Sequence, residues 1–379
     1  MSKTVIVSLY DYNTLSLAPH VVAQAMGGKV MEFSIFTDTV ESIAEKLNET
    51  DAETIGFSTY IWNFSMVKQI IPLLKGKKII VGGPHVKELE HHYAGADLII
   101  SGDVKVKPLD YATIDLDKYE WVPFETSKGC PMACGYCTWS SLEARKMDLH
   151  DVEEYVLKQL DIILSSQIKW LYLCDSSILF NRARGKAILR YCQKYKKPIR
   201  FEFATGQLDD ELIQILLDMP ESEFNFGIQS TNPVALKTIG RGFQPKAFER
   251  EYLALKDHHN VTVDVIYGLP DDNFDGYKTS IDYVASFKPK RILTNPLILL
   301  PGSPFWKDQR KHGIKWDPET HLVISTNTFS EDDMTKARNY SFEVVHGRKL
   351  EDAPDLIPTV KEGFVKRNKW LKDNVAHAV

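Results

Sequence analysis

Three of the five cysteines lie within eight residues and form the pattern C-x3-C-x2-C, at Cys130, Cys134 and Cys137. A disulfide would leave one of these thiols unpaired, and it would also be unusual in a reducing compartment. Three thiolates on one loop can instead bind three irons of a cubic [4Fe-4S] cluster, and the fourth iron then stays open for a substrate or cofactor. The spacing therefore favours a catalytic iron-sulfur site.

Two other uses of this loop remain open from the residues alone. Zinc sites need a fourth ligand and usually pair two CxxC knuckles. The histidines nearest in sequence are His92 and His150, both well outside the loop. The second alternative is that the loop thiols are inert. Cys174 and Cys192 are isolated in sequence, and we expect no ligand role for them; Cys174 is predicted to be a buried strand thiol.

Composition limits the classes of protein that can carry this loop. The chain has 379 residues, 44% hydrophobic and 26% charged, which are globular proportions and exclude a disordered or fibrous protein. A formal net charge of −5 gives no reason to expect nucleic-acid binding. The apolar runs are too short for a membrane span, and the first residues lack the layout of a signal peptide. We therefore expect a cytoplasmic protein without a membrane partner.

The elements before the loop predict a doubly wound parallel sheet. Short apolar runs bounded by turn residues alternate with helix-like stretches, as in βα units. The predicted strands are 5–9, 29–36, 54–60, 78–81 and 98–101. The predicted helices are 18–25, 39–47, 67–74 and 86–93. This N-terminal domain is assigned to residues 1–105, followed by a linker at 106–121.

The elements that follow predict an open, partial (β/α)6 barrel over residues 122–330. The predicted strands are 122–126, 170–174, 199–203, 224–228, 261–267 and 291–295. Because chemistry in such barrels gathers at the carboxyl ends of the strands, the cysteine loop lies where a catalytic cluster should be. Residues 331–379 form a short helical extension, in which 361–372 is predicted as an amphipathic helix on the barrel or, less simply, on a partner or membrane surface.

The loop resembles that of the radical S-adenosylmethionine (SAM) superfamily, including the aromatic Tyr136 before the last cysteine. The segments 226–230, 266–270, 295–297 and 300–304 resemble barrel strands and turns of the subfamily that has an N-terminal cobalamin-binding domain. The turns 56–63 and 81–85 resemble the ligand-facing turns of that domain. The resemblance covers roughly residues 1–330 and implies three cofactors: a [4Fe-4S] cluster, SAM and cobalamin.

The resemblance also implies the residues that contact the cofactors. Cys130, Cys134 and Cys137 would bind the cluster. The expected SAM contacts are Tyr136, Asp175, Ser176, Glu202, Gln229, Ser230, Arg241, Tyr267, Gly268 and Leu269. The expected cobalamin contacts are Ser58, Thr59, Tyr60, Trp62, Asn63, Gly82, Gly83, Pro84, Ser101 and Gly102.

Several of these assignments have structural alternatives. Glu202 alternates with Phe201 and Phe203 on one strand, so it faces either the barrel interior or an exposed edge. Arg241 either pairs with the SAM carboxylate or is solvated. Trp62 either covers the lower corrin face or packs between the domains. No Asp-x-His-x-x-Gly motif is present, so a histidine ligand to cobalt is not indicated, and a vestigial nucleotide-type sheet remains the alternative to cobalamin binding.

The resemblance predicts a methyltransferase. One SAM would methylate cobalamin, a second would give the 5'-deoxyadenosyl radical, and a small metabolite or natural-product intermediate would receive the methyl group on an unactivated centre. Radical rearrangement, ring contraction or redox chemistry is the alternative within the superfamily, and a non-catalytic carrier is the alternative outside it. The expected partners are the small-molecule substrate and a low-potential electron donor such as flavodoxin or ferredoxin.

Overall fold

The computed structural model of the chain describes residues 3–11, 13–102, 106–140, 145–347 and 349. Its first part is a five-stranded parallel sheet with the strand order β2-β1-β3-β4-β5, which confirms the doubly wound prediction. The strands are β1 (Thr4–Tyr10), β2 (Lys29–Ser34), β3 (Thr54–Ser58), β4 (Lys78–Gly82) and β5 (Leu98–Ile100). The order reverses direction at β1, so crevices open at the carboxyl edge of β1 and β3.

Helices cover this sheet, and one predicted helix is wrong. The α-helices are α1 (Leu17–Met26), α2 (Val40–Asn48) and α3 (Phe64–Ile70). Residues 86–93, predicted as a helix, instead belong to two short 3-10 turns, Pro84–Val86 and Glu90–Tyr93. The break between the turns includes Glu88, whose φ of 65° is incompatible with a continuous right-handed helix.

The second part is a six-stranded parallel sheet with the order β13-β12-β11-β10-β9-β6. Its strands are β6 (Trp121–Phe124), β9 (Trp170–Leu173), β10 (Ile199–Phe203), β11 (Glu223–Gln229), β12 (Asn260–Tyr267) and β13 (Arg291–Pro296). Two-residue strands, β7 (Ser127–Lys128) and β8 (Asp148–Leu149), pair beside the cysteine loop. β6 and β13 do not pair, so this barrel is open, as the sequence predicts.

Helices pack on the outer face of this sheet, and the inner face is the more accessible one. These helices are α4 (Leu157–Ser165), which follows a π-helical turn at Val152–Val156, and then α5 (Arg182–Gln193), α6 (Asp210–Leu217), α8 (Pro245–Leu255) and α9 (Phe274–Ser286). The short helix α7 (Pro233–Thr238) instead packs in a separate cluster with Phe305. In β10, Phe201 and Phe203 are buried in the helix-covered core, whereas Arg200 and Glu202 are partly exposed. Strand periodicity therefore places Arg200 and Glu202 on the inner face, around an accessible chamber.

Backbone pairing joins the two parts of the chain directly. The amide of Leu15 donates to the carbonyl of Trp121, and the amide of Trp121 donates to the carbonyl of Asn13, at 3.0 and 3.1 Å. The Tyr119 hydroxyl donates to a carboxylate oxygen of Glu32 at 2.8 Å. These bonds fix the first sheet against the first barrel strand.

The chain after β13 crosses back towards the first part. It contains α10 (Pro304–Asp308), the hairpin β14 (Lys315–Trp316) with β15 (Val323–Ser325), and α11 (Glu331–His346). The long helix α11 packs on α9, where the Tyr277 and Ser341 hydroxyls lie 2.6 Å apart. The predicted amphipathic helix at 361–372 lies outside the described residues. Among the described helices, none is long and apolar enough to cross a membrane.

Candidate active site

The cysteine loop follows β6 and is positioned by a buried carboxylate. Asp175, directly after β9, accepts hydrogen bonds from the amide of Thr126 (3.0 Å), the hydroxyl of Thr126 (2.8 Å) and the hydroxyl of Ser127 (2.6 Å). The Ser176 hydroxyl donates to the carbonyl of Gly129, next to the first cysteine, at 2.7 Å. Both side chains are therefore occupied in holding the loop, whereas the sequence analysis placed them in contact with SAM.

The three thiols lie on one loop and are the candidate ligands of the cluster. Cys130 and Cys134 are buried and Cys137 is partly exposed. Burial, together with the neighbouring Cys134 and Cys130, raises the pKa of the Cys137 thiol to about 11, so iron would have to displace a proton there. Among the described residues, no three His, Cys, Asp or Glu side chains converge as closely as the ligands of a single metal ion. A cubic cluster spreads its thiolates over three separate irons.

Glycines let two other segments pack against this loop. A Cβ on Gly135 would lie 2.6 Å from the Phe305 ring, and one on Gly240 would lie 2.5 Å from the Ala133 carbonyl oxygen. The amide of Gly135 donates to the carbonyl of Ile239 at 2.9 Å, and the amide of Phe305 donates to the carbonyl of Gly135 at 2.8 Å. The loop is thus held between α7 and α10.

Arg241 reaches the cysteine loop from the end of α7. Its guanidinium donates to the Gly227 carbonyl at 2.5 Å, and it lies 3.7 Å from the Cys134 sulfur and 3.4 Å from the Tyr136 hydroxyl. The side chain is therefore not solvated, and its positive charge lies beside a cluster thiol. Charge-assisted bonds to sulfur stabilise a thiolate.

The other predicted SAM contacts are divided between the chamber and the protein core. Gln229, at the end of β11, is buried and has a φ of 67°. The Ser230 hydroxyl accepts from the amide of Asn232 at 3.0 Å and so braces the following turn. Leu269 is fully buried in a hydrophobic cluster, and a Cβ on Gly268 would lie 2.7 Å from the Met334 sulfur of α11. Tyr267 is also buried, and its carbonyl accepts from the amide of Leu297 at 2.8 Å.

Glu202 faces the barrel interior, which is one of the two positions that its alternation with two phenylalanines left open. It accepts a hydrogen bond from the Tyr172 hydroxyl at 3.3 Å. Burial and the nearby Glu202 carboxylate raise the pKa of Asp264 to about 7, and the Asn225 amide nitrogen donates to Asp264 at 2.8 Å. The sequence analysis did not assign Asn225 a role, although its register opposite Glu202 could have indicated one.

Two of the predicted cobalamin contacts instead stabilise the turn after β3. The Thr59 hydroxyl and amide both donate to the Gly82 carbonyl, at 2.8 and 2.7 Å. Asn63 accepts from the amide of Tyr60 at 2.8 Å, and its own amide nitrogen donates to the carbonyl of Ser58 at 3.1 Å. Both residues are almost completely buried; the Thr59 side chain connects the turn to β4, and the Asn63 side chain closes the turn itself.

The remaining predicted cobalamin contacts form an accessible surface at the carboxyl edge of the first sheet. The Tyr60 and Trp62 rings stack with centroids 4.3 Å apart, and Tyr10 at the end of β1 lies 6.0 Å from Trp62. The other partly or fully exposed positions are Ser58, Gly82, Gly83, Pro84, Ser101 and Gly102. Burial and Asp11 raise the pKa of Tyr10 to about 12, and the charge of Arg200 in the barrel opposes this shift. Arg200 of the barrel therefore lies near the Tyr10 end of this edge.

A chain of hydrogen bonds links the turn after β4 to the segment after the barrel. His85 lies 2.7 Å from the Tyr93 hydroxyl through Nδ1 and 3.0 Å from His321 through Nε2. His321 Nδ1 lies 3.1 Å from the Leu299 carbonyl, which can only accept. His321 must then accept at Nε2, so His85 donates at Nε2 and accepts from Tyr93. Both ring nitrogens of His85 are used, which leaves neither for cobalt.

Comparison with protein families agrees with this geometry. Residues 2–106 match the B12 binding domain, and residues 124–284 match the radical SAM superfamily. The chain joins a B12-binding domain to a radical SAM domain. These two domains imply cobalamin, SAM and a [4Fe-4S] cluster as cofactors, as the sequence analysis predicted.

Individual relatives are distant. A 2-(S-pantetheinyl)-carbapenam-3-carboxylate methyltransferase of Streptantibioticus cattleyicolor is 22% identical and aligns with 68% of this chain and 48% of its own length. The heme chaperone HemW of Lactococcus lactis is 22% identical over 51% of this chain and 52% of its own length. The chain thus spans about half the length of these curated relatives.

A solved structure shares the two-domain fold. The radical SAM methyltransferase TsrM of Kitasatospora setae, with its tryptophan substrate and a SAM analogue bound, superposes with a TM-score of 0.62. The match covers 84% of this chain and 78% of TsrM at 12% identity. A second TsrM structure, with cobalamin and a [4Fe-4S] cluster bound, gives a TM-score of 0.61. At this identity, the likeness concerns the fold.

Proposed function

We propose that this chain is a cobalamin-dependent methyltransferase that modifies an unactivated centre of a small molecule. The observation that carries the proposal is that charged side chains of the barrel lie near both the B12-binding sheet and the cysteine loop. Arg200 on the inner face of the barrel lies close enough to Tyr10, at the carboxyl edge of the B12-binding sheet, to affect its pKa, and Arg241 reaches Cys134 of the cysteine loop from the same barrel. A chamber shared by these surfaces is what the proposal infers from these contacts. Two of the proteins that resemble the chain are methyltransferases by name, which supports the same reaction class.

In this proposal, the chain's own residues hold the cofactors and exclude competing reactions. Cys130, Cys134 and Cys137 bind the cluster, and Arg241 stabilises the thiolate of Cys134 and remains the candidate partner for the SAM carboxylate. When bound, the cluster supplies the electron that cleaves SAM to a 5'-deoxyadenosyl radical, and cobalamin carries the methyl group.

Beside the B12-binding sheet, the stacked Tyr60 and Trp62 rings provide a flat apolar surface for the corrinoid. Such a surface keeps water away from the metal face that it covers. Ser58 and the Ser101–Gly102 turn are exposed at the same edge and are available for polar contacts with a nucleotide tail. A small-molecule substrate would enter the chamber between these two surfaces, and a low-potential donor such as flavodoxin or ferredoxin would supply the electron.

Methyl-labelled SAM tests the proposal once a substrate is in hand. Turnover should give 5'-deoxyadenosine and S-adenosylhomocysteine in roughly equal amounts, because each product arises from a different SAM. The label should appear in the methylated product. Deoxyadenosine without the homocysteine product, together with an unlabelled product, would instead indicate a rearrangement or redox reaction.

A further inference from the structure

The chamber contains charged side chains from four adjacent barrel strands. Arg200 and Glu202 lie on β10, Glu223 on β11, Asp264 on β12 and Arg291 on β13. Electrostatic interactions connect them. Glu202 acts to raise the pKa of Asp264, and Arg200 and Arg291 act to lower it. Glu223 acts to raise the pKa of Arg291. Within this group of five, three carboxyl groups face two guanidinium groups. One positive charge would balance the group.

Glu223 interacts with both arginines of this group. One of its oxygens lies 3.7 Å from the Arg200 guanidinium, and both side chains are nearly buried. Arg200 also lies over the Tyr172 ring, 5.2 Å from its centroid. Burial lowers the pKa of Arg291, whereas Glu223 acts in the opposite direction. Glu202 and Asp264 are therefore the acidic groups left for another cation.

An amide between these two acids has an unmade hydrogen bond. Asn225 is 4% exposed, and its amide nitrogen donates to Asp264 at 2.8 Å. Within the described part of the chain, neither Asn225 Oδ1 nor Asp264 Oδ1 has a hydrogen-bond partner. A buried acceptor without a donor costs about 1–3 kcal/mol. Arg200 Nε is likewise buried without an acceptor, so the guanidinium groups of this cluster do not satisfy the two acceptor oxygens. An ammonium group would supply these oxygens with a donor.

We propose that Glu202, Asn225 and Asp264 form a subsite for the ammonium group of the small-molecule substrate. The proposal rests on the proposed function for the existence of that substrate and adds its chemical class, a primary amine. Burial and Glu202 raise the pKa of Asp264 to about 7, and an ammonium group bound between the two carboxyl groups would favour the ionised form of Asp264.

The same face of the barrel offers an apolar surface for the rest of such a substrate. Trp121 and Trp170 are register partners on β6 and β9, and their rings stack at 4.9 Å with an interplanar angle of 4°. Both are partly exposed, and Tyr172 lies two residues further along β9 towards the acids. An aromatic or branched hydrocarbon attached to the amine can pack against these rings.

Binding of simple probes to the holoprotein tests the subsite without turnover. The protein is loaded anaerobically with cluster, cobalamin and SAM, and dissociation constants are measured by ligand-observed NMR for 2-phenylethylammonium, 2-phenylethanol and 3-phenylpropionate. The ammonium should bind about tenfold more tightly than the alcohol, and the carboxylate should bind most weakly. E202Q and D264N should each remove about tenfold of the ammonium affinity and leave the alcohol unchanged.

E221Q is the matched control, because Glu221 is an exposed acid that pairs with Lys290 outside the chamber. Equal affinity for ammonium and alcohol in the unaltered protein, or a preference for the carboxylate, would overturn the proposal without reference to any variant. A loss of SAM affinity in E202Q with an unchanged ammonium preference would also overturn it and return Glu202 to the ribose. Since no methyl transfer is measured, failure of the methyltransferase proposal would leave these results intact.

Discussion

At the scale of single residues, the loop cysteines differ from the other two in what a substitution removes. Cys130, Cys134 and Cys137 each supply one iron ligand in the proposed cluster, so replacing any one with alanine should abolish reductive SAM cleavage. Cys174 and Cys192 lie outside the loop, and C174A and C192A should retain it. Iron content and 5'-deoxyadenosine formation are measured for both sets of variants. A C134A protein that keeps four irons and still cleaves SAM would disprove the cluster assignment.

Asp175 allows a second test, because its hydrogen bonds all go to the polypeptide. D175N replaces a charged acceptor of three hydrogen bonds with a neutral amide, so it should lower the free energy of unfolding by about 1–3 kcal/mol and reduce iron incorporation. The fraction that carries the cluster should bind SAM with unchanged affinity, as measured by equilibrium dialysis.

The control for D175N is D161N, which removes an acceptor for Tyr191 and Tyr195 away from the loop. D161N should leave iron incorporation unaltered. If D175N is fully loaded with iron but binds SAM weakly, Asp175 contacts the cofactor as the resemblance implied, and its bracing role is secondary.

A site residue could be predicted from the sequence when the residues that it acts with are its close neighbours in the chain. The thiol ligands could be predicted because three cysteines with this spacing on one loop are enough to indicate an iron-sulfur site. Asp175 and Ser176 could not be assigned in this way, because their partners lie nearly fifty residues earlier, at Thr126 and Gly129. Arg241 likewise meets Cys134 only through the fold.

At the scale of elements, the two glycines of the turn after β4 should respond differently to substitution. A Cβ on Gly83 would lie 2.5 Å from the Thr59 carbonyl oxygen, and its φ is 108°, so G83A should destabilise the B12-binding domain by more than 1 kcal/mol, an order-of-magnitude figure. A Cβ on Gly82 meets Ile100 only at 3.5 Å. G82V should therefore fold, and we expect it to hinder a corrinoid bound at this edge.

Hydroxocobalamin binding and thermal unfolding of the full chain separate the two effects. G82V should melt near the unaltered protein and bind hydroxocobalamin more weakly, and G82A, with a smaller side chain, should lie between them. Cobalamin affinity that is identical in all three proteins would place the corrinoid elsewhere or favour the vestigial sheet.

Strands were more predictable than the segments between them. All eleven strands of the two main sheets were predicted, because each is either a short apolar run or, as in β10, an alternation of apolar and polar residues bounded by turn residues. The helix predicted at 86–93 is wrong, because hydrophobic periodicity carries no information about contacts with residues that are distant in sequence. His85 and Tyr93 are drawn into the contact with the later part of the chain, and the backbone turns twice to place them there.

At the scale of the whole molecule, His85 and His321 connect the cobalamin-side turn to the segment that leaves the barrel. Both rings are almost completely buried. Burial, with His321, His92 and Lys68, lowers the pKa of His85 to about 3, and burial also lowers the pKa of His321, near which Asp317 and Glu319 act in the opposite direction. Since both folded-state values lie below that of a free histidine, the contact is stable above pH 6.5 and weakens as the pH falls.

This contact should make the docking of the two domains dependent on pH. At pH 5.5, His85 is mostly protonated when it is exposed to water, whereas the buried side chain stays neutral. The free energy that stabilises the buried state therefore falls by about 1.4 kcal/mol for that residue alone. The protection factors of amides in the Gly83–Val86 turn and in residues 297–323, which compare the measured exchange with the intrinsic rate at each pH, should therefore fall about tenfold between pH 7.5 and pH 5.5. In the double variant H85Q/H321Q, these protection factors should be lower at pH 7.5 and nearly equal at the two pH values.

Burial lowers the pKa of another histidine, His259, as well, so a matched control is necessary. His259 accepts from the amide of Ser222 and lies 2.9 Å from the Leu216 carbonyl inside the barrel, and its pKa is also lowered by burial. H259Q should change global stability but leave the pH response of the two interface segments as it is in the unaltered protein. If H259Q removes that response, or if H85Q/H321Q retains it, the histidine pair does not control docking. In the expected case, acid weakens the contact between the turn after β4 and the segment after the barrel, and the loss of protection at these two segments depends on His85 and His321 and not on His259.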